Sequence, residues 1–167
     1  MIYTEITIAI LTLLAGLMAG FFFAYTFSVN SGLGKLNDIA YLSAMQKINR
    51  AVLNPIFYLC FLGPLLLLPI ATIQQYNVNN LRFICLIVAS IAYIVGVFFI
   101  TGIKNVPLNN KLDSLDLSTA SAQLIAEMRS EFEKPWTFWN NIRTIAATIT
   151  LGVLIIVCID FPFILGK

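Results

Sequence analysis

The sequence contains no histidine, and only 11% of its 167 residues are charged. Without imidazole the chain has no histidine-ligated haem or zinc site, and no catalytic triad or proton relay that needs a histidine. A net charge of +2 gives no basic surface for nucleic acid, so we expect no nucleic-acid partner. Soluble domains have about a quarter of their residues charged, and the mean hydropathy here is +0.89. These absences predict an integral membrane protein.

Four continuous apolar segments are each long enough to cross a bilayer, which needs about 20 residues. We predict spans at about 6–28, 55–73, 83–101 and 142–164 of a single membrane domain, residues 1–167. The apolar residues do not alternate with polar ones, which excludes barrel strands. No Lys or Arg precedes the first segment, so we expect it to be retained rather than cleaved as a signal peptide. The predicted fold is all-α, a four-helix membrane bundle.

Positive charges are concentrated on one side of this predicted bundle. The loops between spans one and two and between spans three and four carry Lys35, Lys47, Arg50, Lys104, Lys111, Arg129, Lys134 and Arg143. The opposite side carries only Arg82 and Lys167. Because positive residues are retained in the cytoplasm, we predict that both termini are extracytoplasmic and that the protein is integral to the inner (plasma) membrane.

The two cytoplasmic connections have helical periodicity. Apolar residues recur at three- and four-residue steps in 36–53, behind Asn37 as a candidate N-cap, and again in 119–134. Pro135 predicts the end of the second segment. We therefore predict two amphipathic connecting helices, which either lie at the membrane interface or form lids over a site between the spans.

Small residues and cysteines in the spans leave further alternatives open. Gly16, Gly20 and Ala24 recur at four-residue spacing, which is typical either of a seam inside the bundle or of a homodimer face. Cys85 and Cys158 fall at similar depth and could pair in an oxidising compartment, or act as small apolar residues. No cysteine or carboxylate spacing suggests a metal site. Ionisable residues are absent from the middle of the spans, which argues against a coupled transporter.

Carboxamides, tryptophans and one arginine gather at the cytoplasmic ends of the four spans. They are Asn49, Asn54, Asn105, Asn109, Trp136, Trp139, Asn140 and Arg143. One interpretation is a polar collar that satisfies helix ends and anchors the bundle at the interface. The other is a pocket in which Arg143, Asn140, Asn105 and Asn109 donate hydrogen bonds to a developing enolate or phenolate. In that pocket, Asn49, Asn54, Trp136 and Trp139 would bind a lipophilic aromatic ligand or lipid.

Four segments carry a resemblance to a known family: 20–36 (GFFFAYTFSVNSGLGKL), 44–57 (AMQKINRAVLNPIF), 105–112 (NVPLNNKL) and 136–144 (WTFWNNIRT). In this order among four spans they resemble the anthrone-oxygenase-like integral membrane family. The resemblance implies a four-helix membrane bundle and, for pathway members, oxidation of an anthrone to an anthraquinone by O2 without metal or flavin. The positions that match the family are Asn49, Asn54, Asn105, Asn109, Trp139, Asn140 and Arg143.

This chain departs from the family at one position, because many relatives have a histidine where Asn141 stands here. Asp113 and Asp116 are substitute bases, although both are expected to be solvated loop carboxylates. The functional hypothesis is a cofactor-independent oxygenase that oxidises an electron-rich aromatic or hydroquinone at the cytoplasmic end of the bundle. The alternative is a non-catalytic membrane module that binds a lipophilic ligand or a partner helix.

Overall fold

The structure is a computed structural model that describes residues 2–159. Its five helices are α1 (Ile2–Leu33), α2 (Asp38–Ala51), α3 (Pro55–Gln75), α4 (Asn80–Asp113) and α5 (Ala122–Cys158). Two of these helices contain π-helical segments, at Tyr25–Val29 in α1 and at Ile94–Phe99 and Thr101–Asn105 in α4. No β-strand occurs within the described residues, so the predicted all-α fold is confirmed.

Four helices, α1, α3, α4 and α5, are long and apolar enough to cross a membrane. Their outer faces keep large apolar side chains exposed, including Leu66, Val95 and Ile145. A helix satisfies its own backbone hydrogen bonds, so such a surface is stable when lipid covers it. Each of the four predicted spans falls on one of these helices, and α1, α4 and α5 begin before the predicted start, whereas α3 begins at the predicted residue Pro55. Residues 160–164 of the fourth predicted span lie outside the described part of the chain, as does Lys167.

Each helix after α1 begins at a side chain that accepts hydrogen bonds from the backbone of its first turn. Asn37 caps α2, Asn54 caps α3, Asn79 caps α4 and Ser121 caps α5. Side-chain oxygens at this position satisfy N–H groups that have no partner within the helix. Pro55 follows its cap in the first turn of α3, where a missing N–H costs little. The capping residues thus determine where the connections between helices end.

The spanning helices pack in a closed ring in which α1 contacts α3 and α5, and α4 also contacts α3 and α5. Fully buried apolar side chains fill the centre, including Leu11, Leu68 and Leu154. Gly96 of α4 faces Ala146 of α5 so closely that a Cβ on Gly96 would overlap it. The ring is therefore held by direct packing, and at Gly96 the backbone of α4 lies directly against Ala146 of α5.

A second buried cluster lies at one end of the bundle, where α2 packs on the start of α5 and the end of α4. Its side chains include Tyr41, Met45, Leu112 and Phe132. The Nε2 of Gln46 donates two hydrogen bonds of 2.9 Å, to the backbone carbonyls of Leu112 and Leu115. The apolar stripe of α2 therefore faces protein rather than lipid. We call this end of the molecule the polar end.

The second predicted connecting helix is not a separate element, because α5 continues without a break through Pro135. A proline inside a helix removes the hydrogen bond to the carbonyl four residues earlier. Here the turns on either side are held together by side chains. Phe132 and Trp136, one turn apart across the proline, stack with their ring centroids 6.2 Å apart, and Arg129 pairs with Glu133 in the turn before it. The prediction that Pro135 ends a helix was wrong.

The third predicted span was too short for a similar reason, because the polar NVPLNN segment continues α4 to Asp113. Pro107 follows the π-helical segment Thr101–Asn105. Local π-helical adjustment is one way in which membrane helices accommodate proline. The side chains of this segment are therefore placed by helix geometry and not by a loop.

The structure also bears on the small residues and the cysteines. A Cβ atom built on Gly16 would lie 3.6 Å from the Leu151 side chain of α5. A Cβ built on Gly20 would meet no atom within 4 Å, and Ala24 is exposed. The first residue of the stripe belongs to an internal seam, and a homodimer through the other two stays a prediction. All three cysteines are free, so Cys85 and Cys158 do not pair.

Candidate functional site

A cavity of about 390 Å³ lies at the polar end, between all five helices. Its lining consists of Phe21, Tyr25, Ile48, Asn49, Arg50, Val52, Leu53, Phe57, Tyr58, Phe61, Thr101, Val106, Asn109, Asn110, Asp113, Trp136 and Arg143. Mostly apolar walls with a few convergent polar groups are typical of small-molecule sites, which span roughly 300–1,000 Å³. The cavity is therefore a candidate ligand site.

Arg143 is the one cation among the buried polar and charged side chains of the described residues, with 6% of its surface exposed. Its Nη1 lies 3.4 Å from the Thr101 hydroxyl, and its Nη2 donates to Asn140 Oδ1 at 3.0 Å. The buried Nε has no hydrogen-bond partner, and no carboxylate within residues 2–159 forms an ion pair with this guanidinium. The sequence placed Arg143 near the inner end of the fourth span, among the positive charges of the cytoplasmic side, and the structure buries it inside the helix bundle. The cavity wall therefore carries an unneutralised positive charge.

Aromatic rings surround the guanidinium and continue along the cavity. Arg143 lies 4.6 Å from the Phe22 ring centroid and 5.4 Å from that of Trp136. Trp136 in turn contacts Tyr25 at 5.6 Å, and Phe57 stacks on Phe61 at 5.5 Å with an interplanar angle of 10°. The face of an aromatic ring carries a partial negative charge, which attracts and stabilises a nearby cation. The same surfaces suit stacking against a planar ligand.

Two carboxamides provide further hydrogen-bond donors at the cavity wall. The indole Nε1 of Trp136 donates to Asn109 Oδ1 at 2.8 Å. Because indole can only donate, this bond fixes the orientation of the Asn109 amide and leaves its NH2 group to donate elsewhere. Asn49 Nδ2 is buried without a hydrogen-bond partner. A ligand that offers acceptor oxygens would satisfy these donors.

The exposed rim of the cavity is formed by a salt bridge between α2 and α4. Arg50 Nε lies 2.6 Å from Asp113 Oδ1, and both side chains are about half exposed or more. Asp113 thus lines the cavity. Asp116 does not, and the hydroxyl and backbone N–H of Ser118 lower the pKa of its carboxyl. Of the two carboxylates that the sequence offered as bases, the cavity contains only Asp113.

The structure brings four of the eight predicted site residues to the cavity: Arg143, Asn109, Asn49 and Trp136. The other four have different contacts. Asn54 caps α3, and Asn105 donates to the Trp136 carbonyl at 3.3 Å. Trp139 lies under Lys104 Nζ, 5.0 Å from its ring centroid. Asn140 is fully buried behind Arg143 and does not line the cavity.

Sequence reasoning missed Tyr25, Thr101 and the cavity position of Asp113. A signal for Asp113 was present, because it follows Asn109 by four residues and lies on the same face of a helix. That signal depends on treating 105–113 as helical. No comparable pattern marks Tyr25 or Thr101 in spans that are apolar throughout.

Within residues 2–159, no three His, Cys, Asp or Glu side chains lie close enough to hold a metal ion. A family model described as anthrone oxygenase matches residues 57–153, more than half of the chain. The match includes Asn105, Asn109, Asn140 and Arg143, and it excludes Asn49. No curated protein and no solved structure matches the chain significantly.

Proposed function

This chain belongs to the anthrone oxygenase family, and on that basis we propose that its cavity binds an electron-rich aromatic or hydroquinone and catalyses its oxidation by O2 without a metal or flavin. The observation that carries the proposal is the buried, unpaired guanidinium of Arg143 in a wall of aromatic rings. A buried charge is costly unless something pairs with it. An enolate or phenolate oxygen of the substrate supplies that pair.

Arg143 acts on the negative charge that develops when the substrate loses a proton. Donors fixed in advance around a developing oxyanion stabilise it without reorganising during the reaction. Arg143 is fixed by its contacts with Thr101 and Asn140. Its Nε and the Nδ2 of Asn49 are buried without partners, which leaves both to donate to the substrate. The NH2 group of Asn109 lies on the same wall. The rings of Tyr25, Phe57 and Trp136 hold the substrate plane.

For an anthrone, the substrate used in the test below, the overall reaction converts the ring CH2 group and O2 into a ketone and water. The substrate loses a proton from carbon, and its carbanion transfers an electron to O2, which gives a ring radical and superoxide. These combine through a new C–O bond, and the peroxide takes back the proton. The O–O bond then breaks as the second hydrogen leaves carbon, which releases water. The carbon loses four electrons and O2 gains four.

Asp113 accepts and returns the proton in this proposal. Its carboxylate lies on the cavity wall and reaches solvent beside Arg50. General bases of this kind must be within hydrogen-bond reach of the proton that they remove. No other carboxylate is among the residues that line the cavity.

The proposal is tested with anthrone as the probe and isotopically labelled O2, on protein purified into lipid nanodiscs. We expect anthraquinone to form above the uncatalysed rate, with one labelled oxygen atom in the new carbonyl. R143M should lower kcat by about 10²–10³-fold, the usual cost of removing an oxyanion donor. R82M is the matched control, since Arg82 pairs with Glu5 at the other end of the bundle.

Two results would contradict the proposal. Equal rates for the wild-type protein and R143M, with both folded, would remove Arg143 from the reaction. Binding of anthrone without any conversion above background would instead identify the alternative, a non-catalytic module for lipophilic ligands. Mass spectrometry of small molecules that are released from the purified protein would then identify the natural ligand.

A further inference from the structure

We infer that Asn140 and Thr26 are positioning residues that keep Arg143 charged, fixed and unneutralised, so that the cavity selects anionic over neutral aromatic ligands. This inference rests on the proposed function and goes beyond it, because neither residue lines the cavity. Both act through the guanidinium. The sequence had grouped Asn140 with residues that touch the substrate.

The side chain of Asn140 can have only one orientation. Its Oδ1 accepts from Arg143 Nη2 at 3.0 Å, and its Nδ2 donates to Thr26 Oγ1 at 3.0 Å. Arginine has only donors, so the carboxamide oxygen must face the guanidinium and the NH2 group must face Thr26. Asn140 has no exposed surface, so water does not compete for these bonds.

Thr26 links this arrangement to α1. Its hydroxyl accepts from Asn140 and lies within hydrogen-bond distance of Asn141 Oδ1, at 3.1 Å, and of Thr144 Oγ1, at 2.7 Å. Thr26 lies in the π-helical segment of α1, and Thr101, the other contact of Arg143, lies in a π-helical segment of α4. Such segments frequently occur at functional sites. Helix α4 therefore contacts the guanidinium through Thr101, and α1 acts on it through Asn140.

A carboxamide at position 140 has a specific chemical consequence. Buried arginines are usually paired with a carboxylate, because an unpaired buried charge is costly. A carboxylate here would make the same hydrogen bond and cancel the charge. The carboxamide fixes the guanidinium and leaves its positive charge, with the unpartnered Nε, for a ligand in the cavity. Because Asn140 is neutral, the positive charge of Arg143 is available to a ligand, and the cavity should prefer an anion.

The test compares the affinities of two fluorescent probes of the same shape, anthracene carboxylate and anthracene methanol, for protein in nanodiscs. We expect the wild-type protein to prefer the anion. N140D should lower anion affinity by about tenfold or more, since it converts the partner to a neutralising charge. Affinity for the neutral probe should stay within about twofold, because N140D changes charge and not shape. A purely structural role would weaken both probes together.

N80D is the matched control, because it makes the same change of an asparagine to an aspartate at an exposed position in the first turn of α4, at the opposite end of the bundle from Arg143. It should keep the anion preference. Should N140D not fold, T26V and T26S still decide the question. T26V removes the acceptor that orients Asn140 and should reduce the preference about fivefold, the value of one hydrogen bond, whereas T26S should restore it.

The outcomes separate this inference from the proposed function. An anion preference that R143M abolishes and that survives both N140D and T26V would overturn the inference and leave the proposed function standing. Absence of any preference in the wild-type protein, with R143M binding both probes equally, would overturn both.

Discussion

Asp113 is the residue at which the structure most changes the chemistry expected from the sequence. The resemblance described in the sequence analysis implied a histidine base at position 141, where this chain has Asn141. The side chain of Asn141 is exposed and contacts Thr26 of α1, and it does not line the cavity. Asp113 lies on the wall instead, because α4 continues to it as a helix. A proton acceptor at the cavity therefore does not depend on position 141.

We predict that D113N lowers the rate of anthrone oxidation by about 10²–10⁴-fold, the usual contribution of a general base. The substitution keeps the size of the side chain and removes its basicity. It also breaks the salt bridge with Arg50, so R50Q is the matched control that breaks the same bridge and keeps the carboxylate. Steady-state kinetics at saturating anthrone would measure both. A similar loss in the two variants would assign Asp113 a role at the rim and not in proton transfer.

At the scale of helices, hydropathy was sufficient to predict the four spans, and three- and four-residue periodicity predicted α2 with its Asn37 cap. The ends of α4 and α5 could not be predicted in the same way. Pro107 and Pro135 are local signals for a break, yet a π-helical segment precedes Pro107 and packed side chains span Pro135 in the folded chain. The stacked pair Phe132 and Trp136 across Pro135 is one such contact.

The candidate site was predictable in position but only partly in composition. The topology alone brings the ends of four spans to one depth, and the cavity lies at that depth. Which carboxamide faces the cavity depends on rotation about each helix axis. Asn140 and Arg143 are three residues apart on one face of α5, yet one lies behind the other. No spacing rule separates those two positions.

The tight contact between Gly96 of α4 and Ala146 of α5 has an effect on stability that can be measured. A methyl group on Gly96 would overlap Ala146, so G96A should force the two helices apart. We expect it to lower the free energy of unfolding by about 1–3 kcal/mol, as overpacking does. G152A on α5 is the control, because nothing lies within 4 Å of its Cβ position. Unfolding in detergent would measure both, and equal stability would show that the helices adjust without cost.

For the whole molecule, the asymmetry of charge makes a prediction about which side of the membrane the cavity opens to. The polar end carries most of the Lys and Arg residues, among them Lys35, Lys47 and Lys111. Arg143 is buried, so it is left out of the count of surface charges. The polar end still carries more positive residues than the opposite end. From the rule that positive residues stay in the cytoplasm, we predict that the polar end and its cavity lie on the cytoplasmic side.

This orientation is tested with single cysteines in a background that lacks the three native ones. V78C lies in the connection between α3 and α4 at the opposite end, where Val78 is exposed, and S118C lies in the exposed connection between α4 and α5. We expect a membrane-impermeant maleimide to label V78C in intact cells and to label S118C only after permeabilisation. The reverse pattern would place the cavity outside the cytoplasm. A substrate made in the cytoplasm would then have to cross the membrane before it reached Arg143.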